Sequence, residues 1–273
     1  MPIEVKSLAE WEKDKVSGML SVIIPAYNEE EVIETTVHAL YSTLKAANIS
    51  HEILVVNDCS ADETETILIR LQAEIPSLRF VNNIPPHGFG FAVRYGLSIF
   101  RGDCVCIFMA DSSDSPEDLV RFYRKMQEGY DCVFGSRFIR GGKVFNYPFL
   151  KLVLNRLGNF FIRSLFWIKY NDTTNAFKLY KRHVISGIQP FLSSHFNLTV
   201  ELPLKAIVRG YKYAILPNSW TNRKKGLSKF KIKEIGSRYL FIIFYCFIEK
   251  TFSCGDCKNA AEESGEKIQV WHR

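Results

Sequence analysis

Long hydrophobic runs are missing from this 273-residue chain. The stretch Tyr239 to Ile248 is unbroken and apolar, but ten helical residues rise only about 15 Å, half of a hydrocarbon core, so the segment is not expected to span a bilayer alone. The amino-terminal MPIEVKSLAEWEKDKV lacks the apolar core of a signal peptide, and a cytoplasmic protein is the expectation. The six histidines show no metal-ligand spacing. Cys254 and Cys257 form a lone CxxC without a second pair of ligands, which argues against a zinc site. The cysteine count is odd, seven in all, and Cys59, Cys104, Cys106, Cys132 and Cys246 lie in or beside apolar runs, as packed thiols in a reducing compartment would. No internal repeat or low-complexity linker interrupts the chain. No GxGxxG follows the first strand-like run, which excludes a dinucleotide dehydrogenase. No recognition module accompanies the basic residues, so nucleic acid is not an expected partner.

Apolar residues make up 47% of the sequence, ample for a buried core. The 35 basic and 29 acidic side chains leave a net charge of +6, suited to phosphate-rich ligands or an anionic surface without choosing between them. From Ser21 the chain alternates between strand-like and helical patterns. A first apolar run ends in Pro25-Ala26-Tyr27-Asn28-Glu29-Glu30. A helix follows with Val32, Ile33, Val37, Leu40 and Leu44 on one face. A second strand, Glu52 to Val56, ends in Asn57-Asp58-Cys59-Ser60, and Ser60 with Glu63 is expected to open the next helix as a capping box. An apolar stretch near Leu78 to Val81, a glycine-punctuated helix from Gly88 to Phe100 and a strand from Cys104 to Met109 come next. Ser115-Pro116-Glu117-Asp118 supplies an N-cap, a proline at the first helical position and first-turn acids. A further strand ends at Phe134. Such alternation predicts an α/β fold with a mostly parallel sheet, and ligands in such sheets sit at the strands' carboxyl ends.

Asp111 and Asp114 directly follow a buried strand. Paired carboxylates there suit a hard divalent cation, Mg2+ or Mn2+, that would offset charge on a diphosphate leaving group; helix capping by Asp114 is the alternative role. From Pro148 to Ile168, Phe149, Leu152, Val153, Leu157, Phe160, Phe161 and Leu165 recur at helical spacing, with Lys151, Arg156 and Arg163 between them. This amphipathic helix either covers the sheet or lies on a membrane surface with its basic groups at the headgroups. Arg223, Lys224, Lys225, Lys229, Lys231 and Lys233 precede the apolar Tyr239 to Ile248, which adds to the case for peripheral attachment.

Taken in order, these motifs resemble those of the inverting family 2 glycosyltransferases of the glycosyltransferase-A fold, and among them the polyprenyl (dolichyl)-phosphate mannose synthases. The resemblance runs from Ser21 to Ile235. PAYNE at Pro25 to Glu29 resembles the first nucleotide-binding loop, whose proline, tyrosine and glutamate (Pro25, Tyr27, Glu29) contact the donor. Val56 to Ser60 resembles the second, with Asp58 near base and ribose. HGFGFA at His87 to Ala92 is similar to a glycine-rich turn, and GSRF at Gly135 to Phe138 to the segment whose arginine, Arg137, binds phosphate. Asp172 to Arg182 resembles the acceptor-side motif, implying acceptor contacts from Asp172, Thr174, Asn175 and Lys178. Arg223 and Lys229 match the loop that clamps donor and lipid phosphates. The family usually writes Asp-Ala-Asp where this chain has Met109-Ala110-Asp111, so one carboxylate is missing; the next ligand position falls at Ser113, and the implied metal set is Asp111, Ser113 and Asp114.

The resemblance implies transfer of a hexose from a nucleotide-diphosphate sugar, GDP-mannose by default, to a polyprenyl or dolichyl phosphate at the cytoplasmic face of a membrane, inverting an α linkage to β. It implies an amino-terminal extension over 1–19, a catalytic domain over 20–235 and an apolar carboxyl-terminal segment over 236–273. A UDP-sugar with a non-lipid acceptor, or a silent nucleotide-sugar binder, are the alternatives. The sequence does not specify an oligomeric state.

Overall fold

Aliphatic runs set the architecture because side chains on opposite faces of each strand are both buried. The structure, a computed structural model, describes residues 18–221 and 232–252. Strand β1 (Leu20–Ala26) sends Leu20, Val22 and Ile24 into one hydrophobic cluster and Ile23 into another, and β2 (His51–Asn57) divides Ile53 and Val55 from Leu54 and Val56 in the same way. With β3 (Leu78–Asn82), β4 (Cys104–Ile107), β5 (Cys132–Ser136), β7 (Lys178–Lys181) and β8 (Tyr213–Pro217) they form a seven-stranded sheet of order β3-β2-β1-β4-β7-β5-β8. Only β7 runs antiparallel to its neighbours, so the expected mostly parallel α/β sheet is present. Strands β6 (Lys143–Phe145) and β9 (Ser219–Thr221) make a small parallel ribbon beside it.

Helices α1 (Ile33–Ala46), α2 (Thr64–Glu74) and α4 (Pro116–Met126) cover one face, and α3 (Phe89–Ile99), α6 (Arg182–Gly187) and α7 (Leu198–Val208) the other. The α4 cap forms as its sequence predicts: Ser115 Oγ accepts from Asp118 N at 3.3 Å, with Pro116 opening the helix. The capping box expected at Ser60 and Glu63 does not form. Helix α2 starts at Thr64, where Asp62 Oδ1 accepts from Thr64 N (3.1 Å), and Ser60 Oγ is drawn instead to the backbone N–H of Asn28 at 3.0 Å.

Helices α5 (Phe149–Phe166) and α8 (Ile232–Phe252) lie outside this sandwich, joined to α7 by a third cluster that includes Ile162, Phe166, Leu204, Ile242 and Cys246. Helix α8 is longer than its apolar run and crosses the expected boundary at residues 235–236, yet no described helix is long and apolar enough to cross a membrane. The apolar stripe of α5 does not cover the sheet: Phe149, Leu157 and Phe160 are 79%, 59% and 68% exposed, while Asn159, Ile162 and Phe166 face inward. Cys59, Cys104, Cys106, Cys132 and Cys246 are free thiols, and all but Cys59 are buried; the Cys254–Cys257 pair lies outside the described residues.

Gly90, in the first turn of α3, permits a close approach that no side chain would. A Cβ there would stand 2.3 Å from the carbonyl carbon of Ser194. Gly90→Ala is therefore expected to cost about 1–3 kcal/mol, read as a lower urea midpoint; an unchanged midpoint would show that the 194–195 segment yields freely.

Candidate active site

Parallel register brings the ends of β1 and β2 level, because Ala26 pairs with Asn57, while β4 ends at Ile107 opposite Ile23 and the chain after it runs on beside the end of β1. The loops that follow therefore lie side by side at the carboxyl edge, where α/β sheets hold ligands. Each contains a non-glycine residue with left-handed backbone: Asn28 (φ 53°), Cys59 (φ 59°) and Ser112 (φ 56°). Such conformations are disfavoured and cluster where a site must hold a particular shape.

Reciprocal hydrogen bonds lock the first two loops. Asn28 Oδ1 accepts from Ala61 N (2.8 Å), Glu29 N donates to Thr64 Oγ1 (2.9 Å), Glu30 N to Asp62 Oδ2 (3.2 Å), and Glu63 N back to Glu30 Oε2 (2.9 Å). Pro25 pairs with buried Val56 one residue before β1 ends, and Tyr27 just beyond the strand is 46% exposed. Asp58 is buried, with Oδ1 accepting from Asn83 Nδ2 (2.7 Å) and Oδ2 from Gly88 N (2.7 Å); His87 Nδ1 stands 3.1 Å from Oδ1. The glycine-rich turn thus docks on the Asp58 carboxylate.

The third loop carries the candidate cation ligands. Asp111 is half-buried and its Oδ1 accepts from Ser113 N at 3.1 Å. Asp114 is buried and folds back so that Oδ2 accepts from Met109 N at 3.3 Å. Burial, then the adjacent Asp111, push the Asp114 carboxyl up to about 7, opposed by the Met109 N–H and by Arg137. Buried Ser113 Oγ has no hydrogen-bond partner among the described residues. Thr36 Oγ1, a polar intrusion on the apolar face of α1, donates to Ala110 O at 2.8 Å and ties this loop to the helix. Thr221 N donates to Ser113 O (3.1 Å), and Trp220 bridges to Asp114, so β9 closes over the same loop.

Arg137 leaves the end of β5 into an enclosed space and is paired in two-pronged geometry with Asp172. Its Nε donates to Oδ2 (2.8 Å), its Nη2 to Oδ1 (2.7 Å) and its backbone N again to Oδ2 (2.9 Å). Burial alone would lower the guanidinium, but Asp172 holds it above its ordinary value. The rings of Phe138, Tyr147 and Trp220 surround it at 5.3, 5.8 and 5.9 Å. Of these rings Phe138 belongs to the GSRF segment, whereas Trp220 and Tyr147 belong to no local motif.

The expected acceptor side chains hold their turn from within. Asp172 is fully buried on Arg137. Asn175 Nδ2 bridges Gly135 O and Asn218 Oδ1, both at 3.0 Å, and Thr174 Oγ1 accepts from Asn155 Nδ2 at 2.7 Å. Lys178 Nζ is buried and donates to the carbonyls of Thr173 (3.0 Å), Thr199 (2.8 Å) and Asn175; burial pulls it down to about 7 against the pull of Asp172. In this structure, then, Asp172, Asn175 and Lys178 turn their polar atoms inward to the protein. Arg223 and Lys229 lie outside the described residues. A cavity of about 350 Å³ beside Glu52, Arg79 and Arg101 is at the opposite, amino edge of the sheet; there Glu52 accepts from Ser21 Oγ, Arg101 N and Arg79.

The model for glycosyl transferase family 2 matches residues 21–188, more than half of the chain. The chain belongs to that family. This family 2 glycosyltransferase is 31% identical over 233 residues to the polyprenol monophosphomannose synthase of Mycolicibacterium smegmatis, covering 80% of this chain and 86% of that protein. It is 29% identical over 220 residues to the dolichol-phosphate mannosyltransferase of Pyrococcus furiosus, covering 79% of this chain and 60% of that protein. Glucosyl-3-phosphoglycerate synthase from Mycobacterium tuberculosis, solved with Mn2+, UDP-glucose and phosphoglyceric acid, superposes with a TM-score of 0.65 at 18% identity, covering 93% of this chain and 86% of that one. That likeness establishes the glycosyltransferase-A fold.

Asp172→Asn would leave a buried guanidinium without its counter-charge. The expected loss is about 3–5 kcal/mol of folding stability in chemical denaturation; a loss below about 1 kcal/mol would show that Arg137 finds water or another partner.

Proposed function

We propose that this glycosyltransferase moves a hexose from a nucleotide-diphosphate sugar, with GDP-mannose the default donor, onto a polyprenyl or dolichyl phosphate at a membrane surface. The observation that carries the lipid acceptor is the outward apolar face of α5, adjoining the turn at Asp172 to Asn175. The two relatives named for polyprenol and dolichol phosphate mannose transfer support the same reading.

A divalent cation fits the loop after β4. Asp111 lies close enough to raise Asp114, and Ser113 Oγ is a buried oxygen without a partner among the described residues; two carboxylates and a hydroxyl suit a hard ion that takes its other ligands from diphosphate and water. Among the described residues no group of three or more His, Cys, Asp or Glu gathers, so the protein's share of the shell is small. Asp114, folded back to Met109 N, brings a second carboxylate towards the place where Met109 supplies none. Mg2+ or Mn2+ bound there would offset charge on the departing nucleoside diphosphate.

The protein's own work is binding and charge placement. The loops carrying Pro25, Tyr27, Glu29 and Asp58 take the nucleoside, with Met109 and Ala110 flanking the sugar-diphosphate. Arg137 is kept charged under burial by Asp172, and its field already reaches Asp114. Arg223 and Lys229 add basic charge for the phosphates. The acceptor phosphate is itself an anion, so its oxygen attacks the anomeric carbon without a strong general base, and direct displacement turns α into β. Met109 also favours a second reading, donor binding without turnover.

A radiolabelled nucleotide-sugar panel with polyprenyl phosphate decides between them. Transfer is expected with one donor and to be abolished by EDTA and restored by Mg2+ or Mn2+. Asp111→Ala, folded, should lose at least about 100-fold in kcat; unchanged turnover removes Asp111 from the mechanism, and donor binding without any transfer in the unaltered protein establishes the silent binder. Phe160→Glu on the outer face of α5 should reduce flotation with anionic vesicles. Equal flotation of both proteins would sink the assignment of that face to the membrane.

A further inference from the structure

Helix α5 has two unlike faces. Outward it presents large apolar side chains, and inward, one turn apart, it carries Asn155 and Asn159. Asn159 is 2% exposed. Its Oδ1 accepts from Thr173 N (2.6 Å) and Thr173 Oγ1 (2.7 Å), and its Nδ2 donates to Asn155 O (3.0 Å), Asn155 Oδ1 (3.0 Å) and Thr174 Oγ1 (3.1 Å). Burial alone would be served as well by leucine, and a buried amide is costly unless both its ends are bonded. What the amide adds is direction: its bonds set both the rotation of α5 and its position along the axis relative to the turn. The residue before Thr173 is Asp172, whose carboxylate holds Arg137 by three hydrogen bonds. Asn159 thus joins α5, through one side chain and one peptide unit, to the cation at the carboxyl edge of the sheet.

We propose that Asn159 is a positioning residue that couples the outward face of α5 to Arg137, so that seating α5 on a lipid surface orders the Asp172 to Asn175 turn for the acceptor phosphate. This rests on the lipid-acceptor reading above. It predicts that the membrane acts on the enzyme as well as delivering its substrate.

Two measurements on the full chain test it. In the first, Asn159→Ala is assayed with polyprenyl phosphate in phosphatidylcholine–phosphatidylglycerol vesicles. The acceptor KM should rise about tenfold while the nucleoside-diphosphate Kd stays within about twofold, a split that general loosening would not produce. Asn159→Asp keeps both bonds to Thr173 but sets a carboxylate oxygen against Asn155 O and Oδ1, and should recover the acceptor KM in part. Asn155→Ala, at a half-exposed position, is the milder variant should Asn159→Ala fail to fold, and should raise the same parameter by a smaller factor. An acceptor KM within about twofold of the unaltered protein in a folded Asn159→Ala, or donor affinity falling in step with it, overturns the proposal.

The second needs no lipid phosphate. Amide hydrogen exchange over residues 172–175 is followed with the same vesicles lacking acceptor, and should slow in the unaltered protein but not in Asn159→Ala, although both float equally. If the unaltered protein floats and this exchange does not change, the coupling is refuted even where transfer to lipid phosphate is observed. If the exchange responds but no lipid phosphate is glycosylated, the coupling stands and the lipid-acceptor reading falls.

Discussion

A guanidinium buried among aromatic rings is tolerable only if a carboxylate neutralises it in matching geometry, and in this protein Asp172 does so for Arg137. Much of the carboxyl edge is built around that pair. The turn that presents Asp172 is pinned by Asn175 to the end of β5 and by Lys178 to the start of α7, and it rests on Asn155 and Asn159 of α5. The same turn leads into β7, the antiparallel strand between β4 and β5. Charge is thereby fixed in space before any ligand arrives, the condition under which electrostatic stabilisation costs no reorganisation during reaction.

The loops after β1 and β2 obey a second constraint. Parallel strands in register end together, and loops that leave them must satisfy their backbone groups at the rim. Here they do so by bonding to one another, with Asn28, Glu30, Ser60 and Asp62 as the linking side chains. Those polar residues look like free ligands or helix caps in one dimension. In three dimensions several are the framework that leaves Tyr27, Asp58 and Asp111 at the edge.

The strand-to-loop junctions at the carboxyl edge were legible because they are local. Pro-Ala-Tyr-Asn-Glu after an apolar run, Asn-Asp-Cys-Ser after the next, and Ala-Asp-Ser-Ser-Asp after the third are strand-to-loop junctions that can be located from period and composition alone. The segment from Asp172 to Lys178 was legible as a motif, but its partners were not. Asp172, Asn175 and Lys178 stand together in sequence with the chemistry of ligands, but Asp172 finds Arg137 across 35 residues and Asn175 finds Asn218 across 43. Nothing in a one-dimensional pattern tells a polar group that will meet a substrate from one that will meet a distant backbone. Helix α5 gives the same lesson in reverse, since its apolar spacing marked a buried stripe equally well as a face turned outward.

What the amino-acid sequence determined by itself was the alternating α/β order, the polar loops at the strands' carboxyl ends and the family to which the chain belongs, all of which depend on spacing between near neighbours. Tertiary structure alone decided that Arg137 is caged and paired, that Asp114 folds back to Met109, and that α5 shows its apolar side chains to the outside while its asparagines hold the turn after Asp172. The physical reason is that hydrophobic period and turn chemistry are written within a few residues, whereas the partner of a buried charge or amide is chosen by which segments the folded sheet brings together.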